Sequence, residues 1–459
     1  MTPPDTQNIM DNAPSLEQIE LWIDTRELGK LKARLCEMEI HELADVLIEL
    51  GEKEEQELAI AFRVLPTDIA AEILGNFEPD QQEELLTRLS NEKVAEIINE
   101  MPPDDRTELF EDLPGPLAQK LINQLRGKER KIAIELFAYP EDSIGRLMTP
   151  EYLAVRKDWT VDMVLRHIRR VAESRETCNI IYVVDEDWRL QDEIPLEDIV
   201  LAEPDQLVEE LMDNQAGYLR ARDDQETAVE AFKKYDALAL PVLDQSDTLV
   251  GIVTFDDVMD LQEEESTEDM QKMAGMAALE NAYLSADFFE MIKSRLPWLI
   301  LLLLAECIAV KVLHSFDSLL TILAIFMPLI NATAGNTGSQ IAGLMIRSIA
   351  LNEVDLADWK RVFKRELLRG ATMGIILAVC SIGIVFMFGK GLPVALGVSV
   401  AMFSAVSLAN ILGAMLPFIF KRIGVDPAVT SGPFIACLMD VSSILIFFST
   451  ASAILSYMN

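Results

Sequence analysis

The sequence predicts a multidomain chain: an all-α superhelical N-terminal domain, an α/β pair of repeated modules, a long connecting helix, and an all-α domain of five transmembrane helices. Three observations carry this. A twelve-residue hydrophobic period runs through 65–125, two β-rich stretches 59 residues apart share a pattern, and the last third is built of long apolar runs. Length alone, at 459 residues, points to two to four domains.

Residues 1–20 read as a flexible N-terminus. MTPPDTQNIMDNAP has neither a basic n-region nor an apolar h-region, so no signal peptide is expected. The N-terminal domain is expected over 21–140. Leu65, Phe77, Leu89, Met101 and Leu113 recur every twelve residues, as do Leu74, Leu86, Ile98, Phe110 and Ile122. Pro66, Pro102 and Pro114 share one phase of this period, and Pro is tolerated at a helix start but not inside one. Each unit is a short helix and a turn. One such helix cannot bury its apolar stripe alone, so neighbours stack as an α-solenoid, a binding scaffold or a spacer.

Charge divides the chain. Ten basic against eight acidic residues after Arg295 give that part +2, so the remainder of the −37 chain carries −39. This excludes a nucleic-acid binder, which needs a basic face, and argues against docking on anionic lipid. Such a field concentrates cations or simply keeps the chain soluble. The five cysteines never fall in a CxxC spacing, and the three histidines lie apart, so no zinc site, disulfide framework or catalytic constellation is legible. The chain does not read as an enzyme, and no obligatory protein partner is readable.

The modules are expected at 141–210 and 211–262. Strands are placed at 152–155, 179–184, 239–242 and 249–253, alternating with helices. Asp185 matches Asp244 and Asp198 matches Asp257, each pair 59 residues apart. The second copy, VLDQSDTLVGIVTFDDV, resembles a CBS domain, and VVDEDWRLQDEIPLEDI resembles one with departures. Nucleotide-binding members of that family tend to show Gly, Ser or Thr, then Asp. The resemblance therefore implies that Gly251, Thr254 and Asp257 could hold ATP or another adenosine nucleotide. The first copy has Asp192, Pro195 and Asp198 instead, which speaks against a second such cleft.

A polar, acidic, helix-favouring stretch follows, expected as a long connecting helix over 263–294, whole or interrupted. The membrane domain is expected at 295–459, with spans at about 297–314, 319–341, 368–389, 392–420 and 428–457. Each is long enough for a hydrocarbon core of about 30 Å. WKRVFKRELLR between spans two and three, and Lys421 and Arg422 after span four, lie on the same side. The positive-inside rule puts them in the cytosol, so the N-terminus is cytoplasmic and the C-terminus outside.

Polar groups inside spans are costly and so mark function. Span two ends FMPLINATAGNTGSQ, with Asn331, Asn336 and Gln340 among glycines that permit close helix packing. Span four carries Asn410. Span five follows Asp426 and holds Asp440 deep inside, with no Lys or Arg in that span to pair with it. Glu306 lies in span one, where pairing within the bundle or with Lys311 is the simpler reading. A hydrated cation is the natural partner of Asp440. Mg²⁺ keeps its waters and binds through one or two carboxylates, whereas softer metals call for Cys or His. Asp256, Asp257, Asp260, Glu263, Glu264 and Glu265 crowd the start of the connecting stretch. Like charges at i,i+4 destabilise a helix, and bridging divalent ions would relieve this. A solvated acidic face is the plainer alternative.

With RLPWL at 295–299, FMPLINATAGNTGSQ at 326–340, NILGAMLP at 410–417 and the DPA and SGP…D pattern over 426–440, the chain resembles the MgtE family of Mg²⁺ channels. The resemblance implies a bacterial inner-membrane homodimer surrounded by lipid, with its pore on the two-fold axis and the pore carboxylate at Asp440. It also implies closure by cytosolic Mg²⁺ bound between the acidic domains and the connecting ("plug") helix. Two alternatives stand: a transporter of Mn²⁺, Co²⁺ or Ca²⁺, and a membrane-anchored nucleotide sensor that transports nothing.

Overall fold

The computed structural model describes residues 14–279, 286, 288–316, 324–351 and 353–458. The first thirteen residues of the expected flexible terminus, the expected start of span two and part of the connecting stretch lie outside them. The chain forms two compact units, 1–264 and 265–459.

Among its described residues the first unit opens with ten successive helices: α1 (Leu16–Asp24), α2 (Leu28–Leu35), α3 (Ile40–Lys53), α4 (Glu55–Val64), α5 (Thr67–Leu74), α6 (Pro79–Arg88), α7 (Asn91–Glu100), α8 (Pro103–Asp112), α9 (Gly115–Ile122) and α10 (Gly127–Leu136). From α5 to α10 each helix begins twelve residues after the last. Pro66, Pro102 and Pro114 each immediately precede a helix, where the fixed φ suits entry. Leu65, Phe77, Leu89, Met101 and Leu113, at the turns, are all buried, as are Leu74, Leu86, Ile98 and Phe110. One core therefore runs the length of the stack. Burial of this kind yields about 25 cal/mol per Å² of apolar surface.

Two small sheets follow. In the first, β1 (Ala154–Val155) pairs parallel with β2 (Ile180–Val184), which pairs antiparallel with β3 (Leu190–Pro195). In the second, β4 (Leu219–Arg220), β5 (Ala239–Leu243) and β6 (Leu249–Thr254) repeat that order. β3 and β4 escape the sequence reading because LQDEIP alternates polar residues and LR is too short to show a period. The recurring aspartates shape turns. Asp185 accepts from the backbone N–H of Asp187 and Arg189, both at 2.9 Å, and Asp244 accepts from Ser246 (2.7 Å) and Thr248 (2.9 Å). The copies are joined by paired backbone bonds between Thr149 and Ile252 and by a shared core around Tyr182, Leu243 and Leu249.

α11 (Phe255–Met273) runs on directly from β6 and continues into the second unit. The connecting segment is therefore not one helix over 263–294. α11 starts earlier and stops at Met273, where Gly275 takes a left-handed φ of 78° that L side chains resist. The next helix, α12 (Phe288–His314), is continuous with the first span.

The second unit packs α13 (Met327–Ala350), α14 (Trp359–Met387), α15 (Leu392–Arg422) and α16 (Gly432–Met458) with α12. Among the described residues four helices, α12, α14, α15 and α16, are long and apolar enough to cross a membrane. α13, rich in amides and glycines, packs among them, so four apolar helices and one more polar one stand where five spans are expected. Two boundaries move. Span two extends to Ala350 rather than 341, and WKRVFKRELLR is the first part of α14 rather than a loop.

Candidate functional site

α16 carries Asp440 half-buried, flanked by the buried residues Ile435, Met439 and Ile444. Two contacts hold it among its neighbours. The Cys437 thiol points to the Leu302 carbonyl of α12 at 3.9 Å, and Ser443 Oγ donates to Asn331 Oδ1 of α13 at 2.6 Å. Glu306, one turn beyond Leu302, reaches hydrogen-bonding range of both Asp440 and Cys437. Among the described residues Asp440 pairs with no Lys or Arg. Nor does any group of three or more His, Cys, Asp or Glu converge as a metal cage there. A sparse donor set of this kind suits an ion that keeps its water shell.

The glycine motif of α13 divides in two. A Cβ at Gly338 would stand 2.6 Å from Ile435, and one at Gly413 would stand 2.4 Å from the Gly338 carbonyl. These glycines serve close packing of α13 on α15 and α16. Asn336 and Gln340, one turn apart, are exposed instead. Asn410 is buried at 2 % exposure, and its Nδ2 donates to the Glu366 carbonyl (2.8 Å) and carboxylate (2.7 Å). Its amide thus joins α15 to α14. Glu366, buried and also paired with Arg369, was hidden in the sequence by the basic run around it. Asp426 accepts from Ala428 N–H at 2.8 Å and from Lys272 Nζ at 2.8 Å.

In the first unit an acidic face forms between α8 and α11. Asp104 and Asp105 face Asp256 and Asp257, and Glu108 faces Glu264. Burial, then Asp257, Asp105 and Glu176, holds the Asp104 carboxyl well above the usual range. Burial, with Asp256, Glu72 and Asp260, pushes Asp105 up to about 6. Glu108 keeps contact with solvent, yet the desolvating protein around it and Glu264 raise it to about 8. Glu176 also keeps contact with solvent, yet the desolvating protein around it and Asp257 raise it to about 7. Asp257 rises to about 6 through burial, against the opposing pull of Thr254. Asp260 and Glu264 are raised as well, and Glu263 lies near Asp260 on the exposed side of α11. Glu265 begins the second unit. Sequence reasoning found the α11 half of this face but missed Asp104, Asp105, Glu108 and Glu176, which lie far away along the chain. The PPDD start of α8 was the available signal. Carboxyls crowded and raised in this way are the groups a divalent cation neutralises.

Gly251, Thr254 and Asp257 lie together at the end of β6. Thr254 Oγ1 donates to Asp257 Oδ2 at 2.6 Å, capping α11, and a Cβ on Gly251 would strike Met148. This triad therefore has a packing and capping role of its own beside any ligand. In the first copy, Asp192 is fully buried and accepts from the N–H groups of Asp213 (2.8 Å) and Asn214 (2.9 Å).

A helical stack, paired α/β modules and a bundle of apolar helices around an acid that meets no basic partner among the described residues define a membrane-spanning cation transporter. The family models agree. The divalent cation transporter model matches 327–450, the MgtE intracellular N domain 38–142, and the CBS domain 208–264. The chain is 42 % identical over 323 residues to the magnesium transporter MgtE of Thermus thermophilus, covering 70 % of this chain and 72 % of that protein. It is 32 % identical to the Bacillus subtilis magnesium transporter MgtE over 93 % of this chain and 94 % of that one. A solved cytosolic domain of the Mg²⁺ channel MgtE, in complex with ATP, matches 54 % of this chain and all of its own, with 34 % identity and a TM-score of 0.51. The chain belongs to the MgtE family of divalent cation transporters.

Proposed function

We propose that this protein is a Mg²⁺-selective channel for Mg²⁺ uptake, closed when cytosolic Mg²⁺ occupies the acidic face between α8 and α11 and the carboxylates of the connecting segment. Asp440 is the observation that carries the conduction reading: a carboxylate in an apolar helix, beside amide-bearing α13, with no basic partner among the described residues. Asn331, Asn336 and Gln340 supply oxygens on α13. Asp426 serves the cytosolic mouth. Asn410 contributes by holding α15 on α14 rather than by touching the ion.

The acidic face supplies the control. Its carboxyls resist ionising side by side, so a cation that neutralises several favours the packed state by RT ln(1 + [L]/Kd) per site. Asp256, Asp257, Asp260, Glu263 and Glu264 provide the α11 side, and Glu265 continues it. We place the N-terminus in the cytoplasm and the C-terminus outside, because Lys360, Arg361, Lys364, Arg365, Lys421 and Arg422 mark one side. The working unit is a homodimer in the cell membrane with Asp440 presented once per protomer. The related cytosolic domain was solved in complex with ATP, and to the module pair of this chain we assign an adenosine nucleotide such as ATP.

The test is ion flux into liposomes holding the purified full chain, with internal and external Mg²⁺ varied independently. Uptake that rises with external Mg²⁺ and falls as Mg²⁺ rises on the cytosolic side is the expected result. Flux indifferent to cytosolic Mg²⁺, or a preference for Mn²⁺, Co²⁺ or Ca²⁺, overturns the corresponding half of the reading.

A further inference from the structure

We propose that Glu306 is a specificity-determining residue of the conduction path, a second carboxylate that acts on the ion beside Asp440. The inference rests on Asp440 being the pore acid. The register between two helices is what places Glu306 there. The Cys437 thiol meets the Leu302 carbonyl at 3.9 Å, which pins α16 to α12 at that level. Glu306 stands four residues after Leu302 and Asp440 three after Cys437, so one turn further along both helices the two acids face each other. Their carboxyls come within hydrogen-bonding range, and Glu306 reaches the Cys437 thiol as well.

The surroundings make this contact unusual. Leu303, Leu304, Ile308 and Val310 of α12 are exposed apolar residues, as a lipid-facing helix requires, and Glu306 interrupts them on the side turned to α16. An acid on that helix gains nothing from lipid and costs free energy to insert. The polar neighbours extend to a third helix: Asn331 of α13 accepts from Ser443, one turn past Asp440. Glu306 and Asp440 thus bring carboxylates from two helices to one level of the bundle, with the amide oxygen of Asn331 on a third helix one turn away. Lys311, the basic residue of α12 nearest in sequence to Glu306, is exposed. A divalent cation with part of its water shell answers two adjacent carboxylates better than a monovalent one does. Two carboxylates per protomer instead of one also raise the charge that the ion meets. Even at the dielectric of bulk water, removing one unit charge from about 4 Å weakens binding of a monovalent cation about five-fold and of a bare divalent cation about thirty-fold, so five-fold is a lower bound for an ion that keeps part of its water shell.

The experiment uses the full-length protein in liposomes, with Mg²⁺ uptake followed against external Mg²⁺ and in competition with Ca²⁺. Glu306→Gln keeps the shape and removes the charge. It is expected to raise the half-saturating Mg²⁺ concentration about five-fold or more and to change the Mg²⁺-to-Ca²⁺ preference. Glu306→Leu removes an acid from an apolar helix and so favours insertion, and it carries the same expectation should the glutamine variant fold poorly. A role in packing alone would lower the yield or melting temperature and leave half-saturation and preference unchanged. Parent-like half-saturation and preference in both variants overturn the proposal. Asp440→Asn is measured alongside. If it conducts like the parent, the pore assignment itself fails. If it stops conducting while the Glu306 variants behave like the parent, only the role of Glu306 fails.

Discussion

Lys272 Nζ stands 2.8 Å from Asp426 Oδ2, so the last turn of α11 is tied to the loop that leads into α16. Glu268, one turn earlier, holds the same ammonium at 2.6 Å. Against the downward pull of burial, the two carboxylates hold the Lys272 ammonium above its ordinary value. Burial and Asp426 also raise Asp269. Lysine thus fills the role of a tethered cation among three acids. Lys272→Met is expected to speed proteolysis within 262–285 at low Mg²⁺, and added Mg²⁺ should restore protection by neutralising the freed carboxylates. Cleavage at the parent rate in the absence of Mg²⁺ would show that the ion pair restrains nothing.

Asp440→Ala should leave an inserted, assembled protein that no longer takes up Mg²⁺ or no longer prefers it. The side chain is only half-buried, so the fold loses little by its removal. Liposome flux and size-exclusion chromatography in detergent check the two halves together. Normal uptake with unchanged ion preference sinks the pore assignment.

The acidic face predicts a pH dependence whose sign follows from its raised carboxyls. A group whose folded value lies above its unfolded value takes up protons as the structure forms. Packing of α8 on α11 is therefore favoured as pH falls through the window from about 8 to about 6 set by Glu108, Glu176, Asp105 and Asp257, and disfavoured as pH rises through it. Without divalent cations, protection of the α8–α11 contact from hydrogen exchange should grow between pH 8 and pH 6. Saturating Mg²⁺ should flatten that slope, because the ion does what protons otherwise do. The triple change Asp257→Asn, Asp260→Asn and Glu264→Gln should flatten it as well and shift the Mg²⁺ dependence of closure. An identical slope with and without Mg²⁺ would leave the face as solvated charge.

Asn410 supports the bundle by holding Glu366. Asn410→Leu leaves the buried Glu366 carboxylate with one partner fewer, and a lost hydrogen bond to a charged group costs about 1.5–3 kcal/mol. A lower thermal midpoint in detergent with unchanged ion preference is expected. A changed preference at parent stability would return Asn410 to the ion path.

The nucleotide assignment is tested by calorimetry with ATP on the full chain in detergent, with and without Mg²⁺. Heat at millimolar ATP that disappears in Asp257→Ala places the ligand at the second module. Heat that persists unchanged moves it to another cleft.

The parts of this fold that repeat or run long are the parts legible in the sequence. The solenoid shows itself because Leu65 and its equivalents return every twelve residues, and β2 and β5 because they are unbroken apolar runs, buried throughout in β5 and in all but Ile180 in β2. β3 is hidden because half of LQDEIP is polar. The break after Met273 turns on a single glycine within a helix-favouring stretch, and no period reports it. Asp440 stands out in the sequence because nothing near it along the chain can pair with it. Its neighbour Glu306 gains meaning only when Leu302 and Cys437 fix how α12 lies on α16. The acids of α8 likewise acquire their role from folding, which sets them opposite residues some 150 positions later.

The even spacing of α5 to α10 makes the N-terminal stack a ruler. Every helix start falls on a multiple of one length, so whole units can be gained or lost while each remaining helix still meets its neighbour's groove. A change of any other size puts the hydrophobic stripe out of phase with the next rung. It would also turn Asp104, Asp105 and Glu108 away from α11, so the domain's length is quantised and the aim of its acids depends on that count.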